Sequence, residues 1–154
     1  MKTQTVAILL VALIGFSVAQ KLHHEVDFIT YASDNVIEVD GNVGDDIHVR
    51  IKENPTTGFN WIIAKESPLF KGLKTEQEKF IRQQSNGVFF PGTGGYKLMK
   101  FSIQDGGDKI IDLVQARPWE LNTFKDTQGL INWTEVFQSN HAIDRKQIQV
   151  KVKA

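Results

Sequence analysis

Apolar residues recur at every second position through much of the chain. In the stretch 47–52, isoleucine and valine alternate with histidine, arginine and lysine. A period of two places alternate side chains on opposite faces of a strand, and it is typical of a half-buried β-strand. This alternation, in a weaker and more polar form at 80–84, predicts strands at 36–39, 47–51, 59–63, 80–84, 96–103, 110–114 and 148–152.

Turn residues separate these strands. Clusters of Gly, Pro, Asn and Asp lie between them, and the Gly-rich link 105–108 predicts a hairpin of the two strands that it joins. About seven short strands without βαβ alternation predict an all-β fold, an immunoglobulin-like β-sandwich. The segment 121–142 has no period of two, and within it 130–137 fits either a short helix or an ordered loop.

The N-terminus has the features of a signal peptide. Lys2 precedes an apolar run from Val6 to Val18, and small residues end at Ala19. This run is about 13 residues long, whereas a membrane-spanning helix needs about 20. We therefore expect a signal peptide at 1–19 and one domain at 20–154, in preference to an uncleaved anchor. The expected location is the secretory pathway, either outside the cell or in lysosome-like or phagosomal vesicles.

Charge and cysteine content exclude several classes of function. The chain has 18 basic and 18 acidic residues, and a near-neutral balance argues against nucleic acid or a membrane surface as partner. It contains no cysteine, so it has no disulfide framework and no thiol nucleophile. A sequon at Asn132 predicts a glycosylation site in the secretory pathway.

Three segments between the strands carry unusual residues. In 54–59, proline fixes the backbone, the Asn54 side chain can bond the backbone two residues on, and Gly58 can take a positive φ. In 92–95, three glycines leave bare backbone, so that either another surface approaches closely or the chain simply bends. In 117–119, Trp119 follows a proline at a strand exit and is either a core-edge residue or an exposed anchor.

Strand order brings these segments together. Counted from about Val26, they fall on the B–C, D–E and F–G links of a sandwich, which can emerge at the same end. Taken singly, each segment is explained by an ordinary turn or flexible loop. Three such loops at one end of a rigid sandwich predict a binding edge.

The three motifs together resemble those of the chagasin-type inhibitors of cysteine peptidases. They are Asn-Pro-Thr-Thr-Gly-aromatic, Gly-x-Gly-Gly and Arg-Pro-Trp, in that order, and here they comprise Asn54, Pro55, Thr56, Thr57, Gly58, Phe59, then Gly92, Thr93, Gly94, Gly95, then Arg117, Pro118, Trp119. The resemblance covers roughly 36–119 and the last strand. The pair Phe89-Phe90 and the long segment 121–142 depart from the pattern, and both bear on selectivity.

The resemblance implies a function. It implies a protein that is not an enzyme and that inhibits papain-like, cathepsin L-type cysteine proteases, endogenous or foreign, by reversible and non-covalent occlusion of the active-site cleft. By family analogy, Thr56 and Thr57 lie over the catalytic cysteine, Trp119 packs near the catalytic histidine, and 92–95 runs along the opposite wall. A monomer is the expected state.

Other sites are less well supported. His23 and His24 lie near acidic residues and could bind a metal ion. A metal site, however, needs three or four ligands positioned by folded structure, and we expect this segment to be an N-terminal tail. His48 and His141 have no obvious partner in the sequence. The aspartates 105, 108 and 112 lack EF-hand spacing. No hydrolase elbow is present, so we expect no metal, no cofactor and no catalytic residue.

One alternative belongs to another class. A secreted carbohydrate-binding or adhesion module of sandwich fold stacks sugar rings on exposed aromatic side chains. The candidates are Trp61, Trp119 and Trp133, although alternation with Ile63 places Trp61 in the core. A third possibility is a secreted structural domain that binds a protein partner other than a protease. Both alternatives leave the three motifs as coincidence.

Overall fold

Eight β-strands make up most of the chain that the structure describes. The structure is a computed structural model, and it describes residues 20–31, 33–84, 87–88 and 90–153. The predicted signal peptide at 1–19 lies outside these residues. The strands are β1 His23–Asp27, β2 Val36–Asn42, β3 Asp46–Glu53, β4 Asn60–Ile63, β5 Leu73–Arg82, β6 Gly95–Ile103, β7 Lys109–Ala116 and β8 Asp144–Lys153.

The strands form two four-stranded sheets. The first sheet has the order β1-β3-β6-β5 and the second β2-β8-β7-β4. Pairing is parallel for β1 with β3 and for β2 with β8, and antiparallel elsewhere. Both sheets contribute to one core, whose fully buried members include Ile47, Phe101, Ile103, Ile111, Leu113 and Ile148. The predicted all-β sandwich is confirmed.

The predicted hairpin at 105–108 is wrong. Strand β6 pairs with β3 and β5, whereas β7 pairs with β4 and β8 in the other sheet. Both edges of β6 are already hydrogen-bonded, so the chain has to cross between the sheets at this link. Lys109 steadies the crossing, because its Nζ lies 2.6 Å from Asp105 Oδ1 and donates to Gly106 O at 2.6 Å.

The edge strands of the first sheet differ from their predictions. Strand β5 begins at Leu73, well before the predicted start at residue 80, and most of its side chains are exposed. An edge strand with polar side chains on both faces carries no alternation to detect. The N-terminal segment is not a tail: His23–Asp27 pairs in register with β3.

The segment 121–142 is ordered and covers the outer face of the second sheet. It contains a 3₁₀-helix, Glu120–Phe124, that begins just before it, and the helix α1, Trp133–Gln138. Asn132 is the N-cap of helix α1. Its side-chain oxygen accepts from Glu135 N, and its Nδ2 donates to Glu135 Oε1 at 2.9 Å. A second core lies beneath, made of Ala64, Val114, Ala116, Leu121, Trp133 and Val136. Of the helices that the structure describes, none is long and apolar enough to cross a membrane.

Asp45 closes the turn between β2 and β3. Its buried carboxylate accepts from the backbone N–H groups of Leu22 at 3.0 Å and Asn42 at 2.8 Å, and it lies 3.1 Å from His24 Nε2. Burial alone would raise the pKa of Asp45, but these hydrogen bonds outweigh burial and lower the pKa to about 2. The charged form of Asp45 therefore stabilises this end of the sandwich.

Candidate functional site

Three loops meet at one end of the sandwich. Loop 1 (54–59) follows β3, loop 2 (the described residues 83–84, 87–88 and 90–94) lies between β5 and β6, and loop 3 (117–119) follows β7. Strands β3 and β5 run in the same direction because both are antiparallel to β6, so the end of each lies beside the start of β6. Strand β7 ends beside the start of β4, where loop 1 finishes. We call the surface formed by these loops the loop edge.

Loop 1 is a 3₁₀ turn held by its own side chains. Asn54 Oδ1 accepts from Thr56 N at 3.3 Å and from Thr56 Oγ1 at 2.7 Å. Thr57 donates to Asn54 O twice, from N at 3.1 Å and from Oγ1 at 2.8 Å. Gly58 has φ +84°, and Asn54 is extended. The two local predictions for this turn, the bond from the Asn54 side chain to the backbone two residues on and the positive φ of Gly58, are confirmed.

A buried carboxylate anchors the base of loop 1. Glu53 is 4% exposed, and its Oε2 accepts from Trp61 N at 2.6 Å. Trp61 Nε1 donates to Lys52 O at 2.9 Å, and Lys97 Nζ donates to Trp61 O at 2.7 Å. The bonds of Trp61 to Glu53 and to Lys52 join the strand that enters the loop, β3, to the strand that leaves it, β4, and the Lys97 bond ties β4 to β6. The loop therefore starts and ends on fixed backbone.

Loops 1 and 2 touch through the second motif. Asn54 Nδ2 donates to Gly92 O at 3.2 Å. A Cβ on Gly94 would lie 3.1 Å from Glu53 O, and one on Gly95 would lie 2.0 Å from Ile81 O. Gly95 is thus needed for close packing within the protein, and a side chain at Gly94 would require its neighbour to shift. The presence of these glycines alone therefore does not indicate that another protein surface approaches the backbone of 92–95.

Loops 1 and 3 pack together through Gly58 and Trp119. A Cβ on Gly58 would lie 2.6 Å from Trp119 Cη2, so the indole ring occupies the space that a side chain would fill. The Arg117 guanidinium lies 4.4 Å from the centroid of the Phe59 ring, within the range of a cation–π contact. Trp119 is nevertheless 58% exposed. The sequence left Trp119 either as a residue at the edge of the core or as an exposed anchor, and the structure shows that it is exposed.

The segment 121–142 supports loop 3 from behind. Glu120 contacts Arg117 Nη1 at 3.2 Å through Oε1 and His141 Nδ1 at 3.1 Å through Oε2. His141 also packs edge-on against Phe124, with ring centroids 5.3 Å apart. The His141 and Arg117 contacts hold the pKa of Glu120 below its ordinary value. The spacing of Arg117 and Glu120 could have revealed the first contact, but nothing local predicts His141.

Apolar side chains near loop 2 face solvent. Val88 and Phe90 are 52% and 56% exposed. Two adjacent large aromatic residues cannot both face the core from one strand, so at least one of the pair 89–90 is expected to face outward. Phe90 does, and Phe89 lies outside the described residues. Together with Trp119, Phe90 gives this end of the molecule large exposed aromatic groups.

The remaining candidate residues lie elsewhere. Trp61 and Trp133 are buried, with 3% and 8% exposure, so neither can stack on a sugar and the alternative of a carbohydrate-binding module loses two of its three aromatic groups. Asn132 is exposed, at the start of α1; its glycosylation stays a prediction.

A sandwich with three loops at one end, of which the first packs against the other two, defines a class of loop-presenting binding proteins. Residues 41–130, which contain all three motifs, match the Chagasin family peptidase inhibitor I42, and the chain belongs to this family. The family consists of inhibitors and not of enzymes, and the resemblance drawn from the motifs is confirmed.

Curated relatives support the assignment. Chagasin of Trypanosoma cruzi is 30% identical over 80 residues, which are 50% of this chain and 69% of chagasin. Amoebiasin-1 of Entamoeba histolytica is 30% identical over 79 residues, which are 51% of this chain and 72% of its own.

Solved structures share the fold. A cysteine protease inhibitor from Entamoeba histolytica superimposes with a TM-score of 0.61 at 16% identity, covering 88% of this chain and 99% of its own. Leishmania mexicana ICP gives a TM-score of 0.51 at 24% identity, covering 78% and 90%. At this identity the likeness concerns the fold alone, and the fold is the immunoglobulin-like sandwich that the sequence predicts.

Proposed function

We propose that the loop edge enters the active-site cleft of papain-like cysteine proteases of the cathepsin L type and blocks it reversibly, without covalent chemistry. The structural relative from Entamoeba histolytica is itself described as a cysteine protease inhibitor. Membership of the chagasin family extends inhibition to this chain. We propose, beyond inhibition itself, the cathepsin L-type class of the target protease, insertion of the loop edge into its cleft, and the reversibility of binding.

The observation that carries the proposal is that loop 1 packs against both of the other loops. Asn54 bonds Gly92, and Trp119 packs on Gly58, so each loop limits the motion of another. A surface that is already ordered loses little conformational entropy on binding. Preorganisation of this kind is what allows a standard interface of about 1,600 Å² to bind tightly in protease–inhibitor pairs.

The proposal gives each loop a role. Thr56 and Thr57 form the tip over the catalytic cysteine, Trp119 packs on protease surface near the catalytic histidine, and 92–95 lies along the opposite wall. Trp119 is suited to this role because tryptophan is enriched among residues that dominate interface energies. Phe90 and Val88, exposed just before the second motif, are placed to widen the contact on that side and to influence which protease is bound.

The shape of loop 1 accounts for an inhibitor that is not cut. A scissile segment has to lie extended across a protease cleft, whereas Pro55–Thr57 is a 3₁₀ turn. The backbone N–H of Thr57 donates to Asn54 O at 3.1 Å and that of Gly58 to Pro55 O at 3.0 Å. Extending the loop for cleavage would break these bonds and the side-chain bonds to Asn54.

Titration of the protein into papain and into a cathepsin L-type enzyme, with a fluorogenic substrate, tests the proposal. We expect loss of activity at nanomolar inhibitor, recovery on dilution, and no effect on trypsin. Trp119→Ala should weaken inhibition by at least about 30-fold, the equivalent of about 2 kcal/mol, and Thr57→Ala should also weaken it. The matched control is Val43→Ala, because Val43 is 53% exposed in the β2–β3 turn at the opposite end.

Two results would overturn the proposal. One is the absence of inhibition at micromolar concentration by a folded protein. The other is equal inhibition by the Trp119→Ala and Val43→Ala variants, which would place the contact away from the loop edge.

We further propose that the protein acts as a monomer, outside the cell or in lysosome-like vesicles. The N-terminal sequence pattern at 1–19 supports entry into the secretory pathway, and a wedge formed at one end of one chain needs no second copy. Sequencing the N-terminus of secreted protein tests the first point, and gel filtration tests the second.

A further inference from the structure

Two imidazoles and a carboxylate converge on the outer face of the first sheet, at the end opposite the loop edge. His23 lies on β1 beside Asp46 of β3, and His48 lies two residues further along β3. Each residue offers one ligand atom, and these atoms lie within 4.8 Å of one another. The intervening Ile47 and the following Val49 point into the core, so Asp46 and His48 share the outer face.

The environment of His48 leaves one ring nitrogen available. Its Nδ1 lies 3.3 Å from Glu25 Oε1. Its Nε2 is buried and has no hydrogen-bond partner among the residues that the structure describes. When Nδ1–H donates to a carboxylate, the lone pair stays on Nε2, and this carboxylate–histidine arrangement is the one that orients histidine ligands toward metal ions.

The separation of the other two ligands fits zinc. His23 Nδ1 lies 3.6 Å from Asp46 Oδ2. With zinc–ligand distances of about 2.0–2.2 Å, two ligands of a tetrahedral site lie about 3.3–3.6 Å apart. Imidazole nitrogen favours zinc and its transition-metal neighbours over calcium or magnesium, which take oxygen ligands.

We propose that His23, Asp46 and His48 form a zinc site that fastens β1 to β3, with water as the fourth ligand. This proposal replaces the expectation that the chain has no metal site, which depended on the N-terminal segment being a tail. It is independent of protease inhibition, since the loop edge lies at the other end of β3.

Positive charge already occupies the place of the ion. Asp46 is 1% exposed, and its oxygens lie 2.8 Å from Lys21 Nζ and 2.9 Å from Lys100 Nζ. Zinc bound through Oδ2, the oxygen that faces His23, has to displace Lys100 Nζ from that atom, whereas Lys21 Nζ lies on Oδ1. The Lys100 side chain can leave, because it is 34% exposed. Removing Lys100 should therefore strengthen zinc binding, which non-specific binding to surface histidines would not predict.

Nuclear magnetic resonance of the four histidines tests the site directly. Untagged protein is titrated with zinc chloride at neutral pH, and the imidazole resonances are assigned by single substitutions. We expect one zinc ion per chain and shifts confined to His23 and His48. His24 lies on β1 beside His23 and provides an internal control, because its Nε2 bonds Asp45 instead. His141, which contacts Glu120 behind loop 3, provides a second control.

Isothermal titration calorimetry then ranks the variants. His48→Ala and His23→Ala should weaken zinc binding by at least about tenfold, Lys100→Ala should tighten it, and His141→Ala should leave it unchanged. His23 and His48 are both partly exposed, so the fold can tolerate either substitution. The proposal fails if zinc produces no heat and no shift, if all four histidines shift alike, or if His48→Ala binds as tightly as the unchanged protein.

Discussion

The contact between Gly58 and Trp119 gives a sharp test of the loop edge. We consider the substitution Gly58→Ala. Gly58 has φ +84°, and a Cβ there would lie 2.6 Å from Trp119 Cη2. The left-handed conformation costs a non-glycine residue about 1–2 kcal/mol, and the indole ring has to move as well. Because Trp119 is 58% exposed, the ring can swing into solvent with little further cost in stability.

The expected result separates stability from inhibition. Gly58→Ala should lower the free energy of unfolding by about 1–2 kcal/mol. Inhibition of papain should weaken by about 30-fold or more, since the indole no longer presents the face that the proposed contact uses, and a loss of about 2 kcal/mol corresponds to this factor.

Gly44→Ala is the matched control for this substitution. Gly44 also has a positive φ, +96°, but a Cβ there meets nothing within 4 Å, and it lies in the β2–β3 turn away from the loop edge. It should therefore show the same cost in stability and unchanged inhibition. Unfolding in urea and titration against papain measure the two quantities for both variants.

A double substitution checks the cause. If Gly58→Ala acts by displacing the ring, combining it with Trp119→Ala should weaken inhibition no further than Trp119→Ala alone. Full inhibition by folded Gly58→Ala protein would refute the reasoning. Additive losses in the double variant would show that Gly58 contributes in another way.

Two further predictions concern stability. The pKa of Asp45 is about 2 in the folded protein, below its value of about 3.9 in the unfolded chain. The contribution of Asp45 to the free energy of unfolding is therefore complete above pH ~4 and lost as the pH falls toward ~2. Asp45→Asn should lower the free energy of unfolding by about 2–3 kcal/mol at neutral pH and flatten its pH dependence in urea titrations, and an unchanged pH profile would contradict this prediction. Leu121→Ala, in the second core, should lower the free energy of unfolding by about 2–5 kcal/mol, whereas a cost below about 1 kcal/mol would mean that 121–142 does not pack as described.

Local chemistry in the sequence determined loop 1. The Asn54 side-chain bond, the proline turn and the positive φ of Gly58 all depend on groups within a few residues of one another. Such interactions form whatever the rest of the chain does, so residue types and spacing are enough to predict them. The alternation of apolar residues likewise determined most of the strands, because a half-buried strand has to present one apolar face.

Periodicity says nothing about partners. It could not show that β6 and β7 belong to different sheets, since a strand looks the same whichever neighbour completes its hydrogen bonds. It also missed the length of β5, whose edge position allows polar side chains on both faces. Strand β1 was missed because Val26 is the one apolar residue in it, so the strand shows no alternation.

The loop edge itself was decided by the tertiary structure. Asn54 meets Gly92, and Gly58 meets Trp119, only because the two sheets bring the ends of β3, β5 and β7 to one side. The support of Glu120 by His141, and the meeting of His23 with His48, depend in the same way on strands and helices packed from distant parts of the chain. The sequence by itself determined the internal bonding of loop 1 and most of the strands. Contacts between residues far apart in the chain depend on how the strands pair and the sheets stack, and core packing sets that arrangement collectively, so no local pattern records it.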